Sequence, residues 1–323
     1  MRILVVTNMY PGAGHPGFGI FVARQVDSLR RLGVDVHVET IAGDRGRLDY
    51  LLGRARIGRR IAELRPDVVH AHFGFTAACC VRQGAPLVMT LHGDDINGRS
   101  DGSGGVTLKS RLGVVATLLL CRGARCVISQ NERMAARVRR WAGVRAEVIP
   151  NGVDEREFSP GSRSEARARL GLPAAALVLC FVNSGRQPTK RLDLAQATHG
   201  ILRQRGLDTS LLVAETVPAG DMPWYYRAAD CLLMTSDREG SPTCVKEALA
   251  CGIPVVAVPV GDLPELLTDA RMGRVVARDP QQLADAVLEV TRNGKRGASL
   301  LPPELSASSI ADRLVRLYQS VAG

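Results

Sequence analysis

Aromatic residues make up only 4% of this 323-residue chain, and four lysines stand among its 42 basic residues. Too few rings are available to stack successive bases, so nucleic acid is not an expected partner in spite of a formal charge of +10. No run approaches the roughly 18 apolar residues of a membrane-spanning helix. The opening Met1-Arg2-Ile3-Leu4-Val5-Val6-Thr7 is too short in its apolar part for a signal peptide. It reads as a buried strand, and a cytoplasmic location is expected. No C-x-x-C pair occurs among Cys79, Cys80, Cys121, Cys126, Cys180, Cys231, Cys244 and Cys251, most of which sit in apolar runs. Buried reduced thiols are expected rather than a disulfide framework. His70 and His72 alternate at a strand end without a cysteine or carboxylate at ligand spacing, and no metal site is expected.

What is present is unevenly placed. Residues 1–150 carry 22 Arg and Lys against 12 Asp and Glu, whereas residues 151–323 carry 20 of each. The excess includes Arg54, Arg56, Arg59 and Arg60 in one expected helix and Arg133, Arg137, Arg139 and Arg140 in another. Such faces suit an anionic membrane surface or a polyanionic acceptor, or are simply solvated arginine-rich surface.

The pattern of elements is α/β. Apolar runs at Ile3–Thr7, Val34–Thr40, Val68–His72, Leu87–Leu91, Arg125–Ile128 and Glu147–Ile149 read as strands. Helical spacing covers Phe21–Leu32, Leu51–Leu64, Val114–Cys121 and Glu132–Trp141. Pro150-Asn151-Gly152-Val153-Asp154 breaks the chain, and the alternation resumes. Helices at Ser164–Leu170, Leu192–Arg205 and Pro223–Ala229 separate strands at Leu177–Val182, Ser210–Ala214, Cys231–Thr235 and Val255–Val258. Two doubly wound, Rossmann-like domains are expected, over 1–150 and 151–305, with a last helix at about 306–323.

The most informative stretch is Glu239-Gly240-Ser241-Pro242-Thr243-Cys244-Val245-Lys246-Glu247. Two carboxylates flank a turn that leads into a helix, whose N-terminal N–H groups make a ready anion site. A helix starting near Pro242 would put Glu247 about two turns in. The alternative is an amphipathic helix with surface glutamates. Three further strings fall at strand ends, where open α/β sheets bind ligands. One is Asn183-Ser184-Gly185-Arg186-Gln187-Pro188-Thr189-Lys190, with two cations before a helix. Another is His92-Gly93-Asp94-Asp95, in which the histidine is a candidate for a sugar hydroxyl or for anchoring the loop. Asp94 and Asp95 either orient an acceptor or cap the loop, and as adjacent carboxylates they do not form an Asp-x-Asp metal motif. The third is the loop Asn8–Ile20, with glycines at 12, 14, 17 and 19. These are not at G-x-G-x-x-G spacing, and only Glu39 stands near the position of a ribose-binding acid, so NAD binding is not expected.

With the Pro150–Asp154 junction and the Gly252-Ile253-Pro254-Val255 that follows the helix, the chain resembles the E-x7-E family of retaining nucleotide-sugar glycosyltransferases, group 1, of the GT-B fold. The resemblance spans nearly the whole chain. It implies two domains facing across a cleft, with the last helix crossing back to the first. It implies a metal-independent transfer of a sugar from a nucleotide-sugar donor on the second domain to an acceptor on the first, with no cofactor. Arg186 and Lys190 would neutralise the leaving diphosphate, Glu239 would meet the transferred sugar and Glu247 the ribose. Gly240, Ser241, Pro242, Thr243 and Cys244 would border the diphosphate, Gly17 and Gly19 would lie over it, and His92 would face the sugar. The basic first domain points to a lipid-linked or polyanionic (polysaccharide) acceptor, as in cell-surface polysaccharide or glycoconjugate assembly, with small-molecule acceptors also open, and to peripheral attachment at an anionic membrane. One departure is that many members carry a further strand and loop where this chain runs quickly from Glu215 to Trp224-Tyr225, which shortens the base-recognition wall. A nucleotide-sugar 2-epimerase or a non-catalytic sugar-nucleotide-binding subunit would share the architecture.

Overall fold

The computed structural model describes residues 1–12, 17–42, 47–98, 105, 107–183, 185–293 and 297–323. Ala13 to Pro16 of the glycine loop and Ser184 lie outside the described residues. The chain divides into two compact units, Met1–Gly152 with Ala307–Gly323, and Val153–Ser306.

Unit 1 runs β1 (Arg2–Thr7), α1 (Ile20–Arg31), β2 (Asp35–Thr40), α2 (Arg47–Leu64), β3 (Val68–His72), α3 (Gly74–Ala78), β4 (Leu87–Thr90), α4 (Gly93–Asn97), α5 (Leu108–Cys121), β5 (Cys126–Ser129), α6 (Glu132–Ala142) and β6 (Ala146–Val148). All six strands are parallel, in the order β2-β1-β3-β4-β5-β6. Every residue of β3 and β4 is buried, as inner strands of a parallel sheet covered on both faces require. The period of two divides β1 between the two faces. Ile3 and Val5 pack with Val22, Val26 and Leu29 of α1, whereas Leu4 and Val6 pack with Ile57 and Ile61 of α2. Helix α6 begins where the Asn131 side chain accepts from Met134 N at 2.8 Å and ends at Gly143 in the left-handed region.

Unit 2 runs α7 (Arg163–Leu170), β7 (Leu177–Val182), α8 (Leu192–Gln204), β8 (Thr209–Ala214), α9 (Met222–Ala228), β9 (Cys231–Met234), α10 (Thr243–Ala250), β10 (Val255–Ala257), α11 (Leu263–Leu266), β11 (Gly273–Val275) and α12 (Pro280–Asn293). Its five strands are also parallel, in the order β11-β10-β9-β7-β8. Arg167 of α7 is 2% exposed and ties that helix to the sheet. It donates to the carbonyls of Ala174, Ala176 and Ala228 and to Asp230, which also accepts from Val178 N at 2.7 Å. This buried charge is thus paired and fully hydrogen-bonded.

The chain then returns to unit 1 as α13 (Ala307–Ala322), whose Ile310, Leu314 and Tyr318 enter the same core as α1. The unit boundaries fall two residues after the 150/151 junction and one after 305/306. Helix α5 starts at Leu108, six residues before the expected Val114, and α2 starts at Arg47 rather than Leu51.

Candidate active site

In unit 2 the loops after the strands converge at one sheet edge. Strands β7 and β9 are neighbours, so the loop after each meets the other. Thr235 Oγ1 donates to the carbonyls of Lys190 and Arg191, and Asp237 N donates to Thr189 O. This stitching puts Lys190 beside Glu239, 49 positions away, with Nζ donating to Oε1 at 2.6 Å. Burial disfavours the ammonium, but the Glu239 carboxylate and the thiol of Cys244 more than offset it, and the Lys190 pKa lies above the ordinary lysine value.

Arg186 goes elsewhere. Its backbone is left-handed at φ 52°, and its Nε donates to Glu215 Oε2 at 2.7 Å. The two cations therefore sit on separate carboxylates rather than as one pair. Glu215 also lines a pocket of about 560 Å³ with Leu192, Val213, Val217, Trp224 and Tyr225. The pocket lies beside β8, the edge strand of the sheet, with the Arg169 guanidinium 4.8 Å from the Trp224 ring centre.

Gly240, Ser241 and Pro242 lead into α10, and no side chain caps its first turn. Main-chain N–H groups at Thr243 and Cys244 thus begin the helix without a competing side-chain acceptor. The turn is held from behind. The Ser241 hydroxyl bonds Asp262 Oδ2, and a Cβ on Gly261 (φ 58°) would stand 2.6 Å from Gly240 O. Lys246 is fully buried on α10, and burial lowers its pKa to about 8 against the pull of Asp262 and Cys244. Burial likewise pushes the Cys244 thiol up to about 12, which makes it no nucleophile. Glu247 is the fifth residue of α10 and lies one turn in, not two. Its Oε2 accepts from Tyr226 OH at 2.8 Å. The Tyr226 phenol is held well above its usual pKa by burial and by that carboxylate, so it stays a donor.

Unit 1 gathers its histidines at the same end of its own sheet. His70 bridges Tyr318 OH and Thr90 Oγ1, each at 2.6 Å. His72 Nδ1 lies 3.2 Å from His92 Nε2, and the His92 ring packs on Phe21 and Phe73. Burial depresses all three imidazoles, His72 to about 3, so they are neutral. Asp95 is pinned, accepting from His92 N at 2.8 Å and Gly74 N at 3.1 Å, while Asp94 is exposed. Burial still raises the Asp95 carboxyl to about 6. Gly19 (φ 69°) precedes α1, and a Cβ there would stand 2.3 Å from the Met9 carbonyl carbon. Gly17 faces open space.

Lys190 and Glu239 meet, and residues 240–244 form the start of α10. Tyr226, Thr235 and Asp262 were not singled out from the sequence, and His72 was weighed only as a metal ligand. Each acts through a partner 20 to 45 positions away, which no local pattern announces.

Residues 3–157 match the family description "Glycosyltransferase Family 4", and residues 173–293 match "Glycosyl transferases group 1". The chain is 26% identical to the putative teichuronic acid biosynthesis glycosyltransferase TuaC of Bacillus subtilis, over 89% of this chain and 88% of TuaC. It is 30% identical to a D-inositol 3-phosphate glycosyltransferase of Saccharomonospora viridis, over 78% and 70%. Its fold is that of the sucrose-phosphate synthase of Thermosynechococcus elongatus, with a TM-score of 0.79 at 18% identity over 99% of both chains. Anabaena HepE, solved with UDP and glucose, gives a TM-score of 0.73 at 19% identity over 99% of this chain and 100% of its own. With both units matched and each built on a parallel Rossmann-like sheet, this chain belongs to the group 1 glycosyltransferases of the GT-B fold.

Proposed function

We propose that the enzyme moves a sugar from a nucleoside-diphosphate donor held by unit 2 to an acceptor hydroxyl presented by unit 1, with retention at the anomeric carbon. The observation that carries this reading is the Lys190–Glu239 pair beside the uncapped start of α10. The anomeric C–O bond breaks and its electrons pass to a β-phosphate oxygen, so negative charge grows there. Lys190 and the N–H groups of Thr243 and Cys244 meet that charge, with Arg186 as the second cation, and the scheme uses no metal ion. Glu239 accepts hydroxyls of the sugar. The acceptor oxygen bonds the anomeric carbon on the face the phosphate leaves, and its proton passes to the departing phosphate. Glu247, aligned by Tyr226, takes the ribose hydroxyls. The pocket lined by Glu215, Val217 and Trp224 receives the base, with β8 as its wall in place of a further strand. On unit 1 the resemblance gives His92 to the sugar and Gly17 and Gly19 to the diphosphate, while the His92 ring packs against His72, Phe21 and Phe73.

Structures of HepE with UDP and UDP-glucose support a nucleotide-sugar donor, and the TuaC relationship supports a place in polysaccharide synthesis. A thermal-shift screen of UDP-, GDP- and dTDP-sugars identifies the donor, and NMR of the product reads its anomeric configuration. Lys190→Met is expected to lower kcat/KM about 100- to 1000-fold with the fold intact. Near-normal turnover by that variant refutes the assignment. An inverted product refutes retention, and donor conversion without acceptor points to an epimerase.

A further inference from the structure

Helix α5 is apolar on the face it exposes as well as on the face it buries. Leu108, Leu112, Val115 and Leu119 are between 54 and 74% exposed, and their spacing of four, three and four residues places them in one stripe. The residues α5 buries in full are the small Thr117 and Cys121. The stripe continues onto α3, where Phe75 is 48% exposed and lies against Gly113 of α5. A Cβ there would meet the ring at 3.3 Å, so the two elements are in close contact. Tyr50 of α2, next in the chain to the exposed Leu51 and Leu52, packs on Phe75 with ring centres 6.0 Å apart. Single exposed leucines are ordinary, but a continuous stripe across packed elements marks a surface that meets something apolar.

The charges around it select the partner. From residue 102 to residue 131 there is no Asp or Glu, whereas Lys109, Arg111, Arg122 and Arg125 fall in that span. Lys109 and Arg111 are exposed, and at about 100° per residue they fall on either side of the leucine stripe. A second copy docked through this face would set these cations against their own counterparts. An anionic bilayer answers both features, since leucines enter the headgroup boundary while flanking cations meet phosphate. Three arginines of α2 are committed elsewhere. Arg60 pairs with Glu39 at 3.2 Å, Arg56 donates to Thr40 O, and Arg54 donates to the carbonyls of Ala78 and Val81.

We propose that the exposed stripe of α5 with Phe75 is a membrane-docking face that seats unit 1 on anionic lipid. It rests on this surface alone, so it stands or falls separately from the transferase reading. Flotation of the full chain with phosphatidylcholine vesicles, with and without phosphatidylglycerol, tests it. The wild type should float with the anionic vesicles and less so at high salt. The Leu112→Glu/Leu119→Glu variant should lose partitioning by about tenfold or more, since each leucine withdrawn from the bilayer forfeits its burial. Arg111→Glu should lose the preference for anionic lipid. If the double variant melts early, the milder Leu112→Ser replaces it, with the same direction expected. Absence of wild-type flotation, or equal flotation of wild type and leucine variants, overturns the proposal. So does self-association of the wild type in sedimentation that the leucine variants abolish without any lipid binding, which would make the face a contact between copies.

Discussion

Tyr226 and Glu247 show how one hydrogen bond can serve both fold and site. Glu247→Ala leaves a fully buried phenol O–H without that acceptor, at a cost of about 1–3 kcal/mol. Tyr226→Phe removes the donor instead and leaves a half-buried carboxylate that can turn toward solvent, so it should cost less. Added to Tyr226→Phe, Glu247→Ala should therefore cost little further stability, and the urea cycle should be non-additive. Strict additivity would show that the contact carries no coupling. In turnover, Tyr226→Phe should raise the donor KM more than it lowers kcat, because the phenol acts by aligning Glu247. At this scale the sequence singled out Lys190, Glu239 and Glu247 because they occupy short strings with defined spacing. It did not show Tyr226 or the Ser241–Asp262 contact, because those depend on how β9, α9 and β10 come together.

The loop before α10 is an element built by close backbone approach. Gly261 sits at φ 58° against Gly240 O, so Gly261→Ala adds backbone strain and forces residues 239–240 to move. Thermal unfolding should register about 1–3 kcal/mol of lost stability. Nucleotide affinity should fall in the same variant, read by titration calorimetry. Gly17→Ala, with nothing within 4 Å, should leave stability unchanged, and an equal loss in both variants would refute the packing argument. Elements were legible where burial writes a simple pattern, as in β1, β3 and β7. The first turns of α5 were not, because Leu108 and Leu112 face solvent and break the rule that apolar means inward. Helices α3 and α4, at five residues each, are too short for any period to appear. Helix α12 did carry a signal, since Pro280 opens it and Leu283, Ala284, Val287 and Val290 share a buried face.

The two units have separate cores, one within 153–301 and two within unit 1, and the titrating groups divide between them. His70, His72 and His92 are neutral in folded unit 1, with pKa values depressed below 6.5. Below that pH the unfolded chain binds three protons that the fold refuses, so their contribution is complete above 6.5 and is lost as pH falls. Asp95, raised to about 6 from 3.8, works the other way across that window, because its folded carboxyl keeps a proton that the unfolded one releases. Three groups outweigh one, so unit 1 should lose stability as pH falls from 6 to 5. Lys246 of unit 2, lowered to about 8, is charged in both states over that range and adds no slope. A nucleotide bound to unit 2 at 100 times its Kd should stabilise that unit by about 2.7 kcal/mol. Segment-resolved hydrogen exchange separates the two effects. Acidification from pH 7 to 5.5 should expose β3, α1 and α13 before β7, β9 and α10. Added nucleoside diphosphate should protect residues 186–247 and leave the acid response of β3 and α13 in place. Acid loss concentrated in unit 2 would refute the histidine assignment, and nucleotide protection confined to unit 1 would refute the placement of the donor.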